Sequence, residues 1–129
     1  MNSGNQSGHD AGVVRVEEIL DLDALLDRAG GDEEFLQELF DIFLEDSEIL
    51  LDQIRKEMEA GDYENLARTA HKLKGSMSNF VSDGPALQAA KSVEQHGLNM
   101  EADQVAQAFD RLQSEYERLK TSIEIVKNR

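Results

Sequence analysis

Three residues of one short segment carry the chemistry legible in this chain. They are His71, Lys74 and Gly75, within Thr69-Ala70-His71-Lys72-Leu73-Lys74-Gly75-Ser76. Leu66, Ala70, Leu73, Met77 and Phe80 recur at intervals of four and three and form one apolar stripe of a helix. His71 points about 130° away from that stripe, toward solvent. Ala67 and Gly75 lie one turn away on its line, with Ser78 and Ser82 beyond, so the imidazole stands in a clearing of small residues. A glycine inside a helix costs about 1 kcal/mol relative to alanine. Packing on an exposed face does not ask for one. The pattern implies that another group must approach His71 closely.

A histidine side chain near neutral pH supplies neutral imidazole, which attacks phosphorus without a base to activate it. Lys74, at i+3, can lean over phosphoryl oxygens, and Gly75, at i+4, leaves space for the transferred group. Arg68 and Lys72 flank the histidine and are better placed for docking a partner than for chemistry. The small residues Ala67 and Ser78 belong to the same docking face. Other chemistries lack their parts. No glycine-rich phosphate cradle is present, so no ATP-dependent kinase activity of its own is expected. No Ser-His-Asp or Cys-His arrangement is legible. Positions 67, 68, 74, 75 and 78 offer His71 no second metal ligand, so the expectation is no metal and no cofactor. His9 falls in a Gly/Ser/Asn-rich stretch, and His96 in the last turn of a helix, where it complements the dipole. Neither is given a functional role.

The charge map isolates the same segment. The net charge is −14, but residues 1–60 hold 17 acidic and 4 basic side chains while residues 61–129 hold 10 and 9. Between Glu64 and Asp83 there is no carboxylate, only Arg68, Lys72 and Lys74. An anionic group or an acidic partner face would be steered there. No basic patch is large enough for nucleic acid. There is no cysteine, no apolar run of membrane-spanning length and no signal-peptide pattern, which together point to the cytoplasm.

The elements that must position His71 read as all-α. Leu, Ala, Glu, Asp and Gln abound, and the chain has one proline. Residues 1–14 read as a flexible arm or linker and residues 15–129 as a single helical domain. Ile19, Leu22, Leu25 and Leu26 make a short leading helix that ends at Gly30-Gly31. Asp32 caps a second helix running to Gly61, and Asp62 caps the helix of His71, which is expected to reach about Val81. Pro85 opens a helix stopped by Gly97. The last helix, about Glu101 to Lys127, carries Val105, Phe109, Leu112, Tyr116, Leu119, Ile123 and Val126 at a 4, 3 spacing. That seam is compatible with a coiled-coil dimer, but the short connections favour neighbours within one chain. The expected fold is an antiparallel up-down four-helix bundle with a short additional N-terminal helix.

Leu66-Ala67-Arg68-Thr69-Ala70-His71-Lys72-Leu73-Lys74-Gly75-Ser76-Met77-Ser78-Asn79-Phe80 resembles the core motif of histidine-containing phosphotransfer (HPt) domains of bacterial phosphorelays. The resemblance extends over about residues 15–126. It implies that His71 is the phosphorylated residue, that Lys74 contacts the phosphoryl group and that Gly75 provides clearance. It also implies exchange of phosphate with the aspartate of a receiver domain in a response regulator or hybrid kinase. The receiver then supplies Mg²⁺ and most catalytic groups. The sequence departs from the family at Val81-Ser82-Asp83-Gly84-Pro85 and at Val93-Glu94 where Leu-Glu is usual. Both departures are expected to act at the bundle end or on partner choice, away from the phosphoryl site. The competing readings are a non-catalytic helical adaptor, dimeric through the last helix, and a carboxylate-and-histidine metal bundle. The apolar stripes disfavour the second.

Overall fold

A computed structural model describes residues 15–81 and 83–129; the expected arm, residues 1–14, and Ser82 lie outside them. Among the described residues six helices follow one another: α1 (Val16–Ile19), α2 (Leu22–Arg28), α3 (Glu33–Glu59), α4 (Tyr63–Met77), α5 (Pro85–Leu98) and α6 (Ala102–Lys127). There is no strand among the described residues. Aspartates start three of the helices. Asp21, Asp32 and Asp62 accept from the backbone N–H of Ala24, Phe35 and Asn65 at 3.1, 3.1 and 3.3 Å, each satisfying an orphan donor of the first turn. The leading segment is two short helices where one was expected. Leu20 is extended and buried, and Asp21 then caps anew.

Helices α3 to α6 form the antiparallel bundle. Each packs on its neighbour in the chain and α6 returns to α3, while α1 lies on α6 and α2 on α3. The expected stripes supply the core: Phe40 and Ile54 from α3, Leu66, Ala70, Leu73 and Met77 from α4, Ala90 and Val93 from α5, and Val105 to Ile123 from α6. The α6 seam from Val105 to Ile123 is therefore buried within one chain, and no coiled-coil partner is needed to cover it. Phe80 closes the end of the bundle against Phe43 and Phe40, with ring centroids 4.6 and 5.6 Å apart.

Two helix ends differ from expectation. Helix α4 stops at Met77, because the Met77 carbonyl accepts from both Phe80 and Val81 and the chain tightens into turns. Gly97 is no stop. It lies inside α5, and a Cβ there would sit 2.9 Å from Leu66 Cδ2 and 3.4 Å from both Ala67 Cβ and the Tyr63 carbonyl. Gly97 lets α4 and α5 approach closely, and Met100, with φ 54°, makes the turn instead.

Candidate functional site

That close approach sets the geometry around His71. Its side chain is 66% exposed, and Nδ1 lies 2.8 Å from Oε2 of Glu94 on α5. The other oxygen of the same carboxylate accepts from Lys74 Nζ at 2.7 Å. Glu94 is the buried member of this trio, with 15% of its side chain exposed. Burial pushes its carboxyl up, but the hydrogen bonds from Lys74 and His71 outweigh that and hold it below its ordinary value. Glu94 is thus an ionised acceptor. In the neutral ring the nitrogen facing this carboxylate is the one that carries the proton, and Nε2 is then the nitrogen with the lone pair.

The sequence motif did not contain Glu94, and two expectations change with it. The carboxylate-free window is free of acids only along the chain, since α5 brings Glu94 across it. The Val93-Glu94 position touches His71 and Lys74 and is not remote from them. Its legible signal was modest: Glu94 follows buried Val93 and precedes Gly97 by three residues, at the edge of the apolar face of α5.

The remaining predicted residues divide. Gly75 is exposed, and a Cβ added there meets no atom within 4 Å. The clearing is real at that position. Ser78 is exposed and its hydroxyl donates to the Gly75 carbonyl at 2.7 Å. Lys72 is exposed and Arg68 pairs with Glu64 at 3.3 Å, both side chains largely in water, where such a pair contributes little. Ala67 is not on the docking surface: it is buried against α5 beside Gly97. Its edge nevertheless reaches an open groove of about 470 Å³ lined by Arg68, His71, Lys72, Glu94 and Leu98. His96 bonds Glu101 at 2.7 Å across the α5–α6 turn, which accounts for it structurally. Among the described residues no three His, Cys, Asp or Glu side chains gather to hold a metal ion. No helix among them is long and apolar enough to cross a membrane.

The helical bundle thus presents an exposed imidazole, with a carboxylate at Nδ1 and a lysine beside it, on one face. Residues 38–122 match the Hpt domain family, well over half of the chain, and the chain belongs to that family, whose role is phosphotransfer in phosphorelays. Comparison with curated protein sequences finds no match. Among solved structures, a histidine-containing phosphotransfer protein from maize superposes with a TM-score of 0.75 at 17% identity, covering 96% of this chain and 94% of that one. A putative histidine-containing phosphotransfer protein from rice gives 0.62 at 18% identity, covering 95% and 88%. At such identities the likeness is one of fold. Both come from plants, so the family is not tied here to the bacterial relays of the sequence resemblance.

Proposed function

We propose that Nε2 of His71 accepts a phosphoryl group from the aspartyl phosphate of a receiver domain and returns it to such an aspartate. The observation that carries this reading is the 2.8 Å contact of Nδ1 with Glu94, which holds the ring in the tautomer whose outward nitrogen is nucleophilic. In the forward step the Nε2 lone pair forms the N–P bond while the P–O bond to the receiver aspartate breaks and its carboxylate leaves. The ring gains positive charge as that bond forms, and the Glu94 carboxylate at Nδ1–H offsets it. Lys74 is drawn between Glu94 and the arriving phosphoryl oxygens, whose charge it neutralises. Gly75 leaves the path open, and Arg68, Lys72 and Ser78 belong to the surrounding docking face. Glu94 is a positioning residue that acts through the other two. The Mg²⁺ and the remaining catalytic groups belong to the receiver, and the cytoplasm is the compartment proposed for the exchange.

A single-turnover assay with phosphorylated receivers tests the assignment. Wild type is labelled and His71→Gln is not. Equal labelling of both, or a His71→Gln protein with full function, returns the chain to the adaptor reading.

A further inference from the structure

The contact of Glu94 with His71 bears on how a phosphoryl group leaves the ring, as well as on how it arrives. Once Nε2 carries phosphorus and Nδ1 still carries its proton, the ring is a cation. The fate of that proton decides the departure chemistry. With Nδ1 protonated, breaking the N–P bond returns the electron pair to Nε2 and releases neutral imidazole. Without the proton, the same bond must release an imidazolate anion, a far poorer leaving group.

Glu94 is placed to keep that proton. Its Oε2 lies 2.8 Å from Nδ1, while Oε1 accepts from Lys74 Nζ at 2.7 Å. Only 15% of the Glu94 side chain is exposed, so its charge is screened less than that of a surface carboxylate. The ion pair with Lys74 keeps the carboxylate ionised where imidazole titrates. The other charged groups lining the groove beside His71 are Glu64, Arg68 and Lys72, all of α4 and all exposed. Glu64 and Arg68 offset one another at 3.3 Å. On α5, Lys91 is exposed one turn before Glu94, and among the described residues α3 and α6 contribute nothing to that groove. Glu94 is thus the one carboxylate, among the described residues, paired with the His71 ring.

We propose that Glu94 sets the lifetime of the phosphorylated chain by keeping Nδ1 protonated after phosphorus is bound to Nε2. The inference rests on the phosphotransfer reading above and adds the departure step to it. In that step the N–P bond breaks as a P–O bond forms, to the receiver aspartate or, in slow hydrolysis, to water. The bonding pair goes to Nε2, the proton stays on Nδ1 beside Glu94, and neutral imidazole is regenerated for the next transfer. In hydrolysis the attacking water gives its proton to the product phosphate or to solvent. The chain is thereby tuned for handover and not for storage. Without this carboxylate it would hold its phosphate longer and return it more slowly. Glu94 acts through His71 and is a positioning residue in both directions.

The test compares wild type with Glu94→Gln, each loaded from an excess of phosphorylated receiver and then separated from it by gel filtration. The glutamine amide oxygen still accepts from Nδ1–H, so the variant loads, more slowly than wild type, and lacks only the charge. Loss of label from the isolated protein, and its return to unphosphorylated receiver, are followed from about pH 6 to about pH 9. An imidazole of ordinary proton affinity keeps only about 3% of its protons at about pH 8. The variant is therefore expected to decay, and to return label, about tenfold or more slower than wild type there, while at about pH 6 the two agree within about twofold. Wild-type decay stays nearly level over the same interval. A general loosening of α4 against α5 would change the rates at every pH alike and leave the two profiles with one shape. Profiles of one shape, or a Glu94→Gln protein that cannot be loaded, overturn the inference while leaving phosphotransfer through His71 intact. A wild-type protein that no receiver labels overturns both.

Discussion

Gly75 separates a functional clearing from a structural one, because stability and transfer should move in opposite directions there. The position is exposed within α4, and a Cβ added to it meets nothing within 4 Å. Gly75→Ala therefore gains the difference in helix propensity, about 1 kcal/mol, with no overpacking to offset it. For a domain of this size that raises Tm by about 3–5 °C, read by thermal unfolding followed by circular dichroism. Transfer should slow, and Gly75→Met, a good helix former with a long side chain, should slow it further, by about tenfold or more, by blocking the approach to Nε2. Gly97 is the internal contrast. Alanine there places Cβ 2.9 Å from Cδ2 of the fully buried Leu66, and overpacking costs about 1–3 kcal/mol, so Gly97→Ala does not raise Tm. A lower Tm for Gly75→Ala would refute the reasoning about open space. Wild-type transfer by Gly75→Met would refute the role of the clearing.

Lys74→Ala should lower the single-turnover transfer rate by about tenfold or more while unfolding stays cooperative; an unchanged rate removes Lys74 from the mechanism. Glu94 has its carboxyl held below its ordinary value in the folded state. Its contribution to stability is thus present above the unfolded carboxylate pKa and lost as pH falls through the lower folded one. Acid titrations of wild type and Glu94→Gln should accordingly converge at low pH and separate toward neutrality, and parallel curves would contradict this. Tyr116 is buried, with its hydroxyl 3.3 Å from the Leu44 carbonyl and near Glu48, and burial followed by that carboxylate raises its pKa. The stability from keeping it neutral is full below about pH 10 and is lost above it. Of the chain's two tyrosines, tyrosinate absorbance should report Tyr116 only at higher pH, together with unfolding.

What the sequence disclosed followed from periodicity, which is local. The stripe from Leu66 to Met77 fixed the outward direction of His71 and left Gly75 without a packing reason, and both hold in the folded chain. The α6 seam showed its length and face but not its partner, because a 4, 3 spacing fits an intrachain bundle and a coiled coil alike. Contacts across helices were hidden. Glu94 is 23 residues from His71, and nothing near either residue records that α5 presents one to the other. Gly97 and Ala67 were misread together for that reason. One looked like a helix stop and the other like open surface, whereas the two fill and permit a single close contact between α4 and α5.

The central claim is that Glu94 holds the His71 ring so that Nε2 takes the phosphoryl group. Its most direct test is to load protein labelled with ¹⁵N in its histidines from a phosphorylated receiver and read the ring nitrogens by NMR. The account predicts a phosphorus-coupled Nε2 on His71, with Nδ1 still protonated and the rings of His9 and His96 unchanged. Phosphorylation at Nδ1 of His71, at either other histidine, or at none of the three would contradict it.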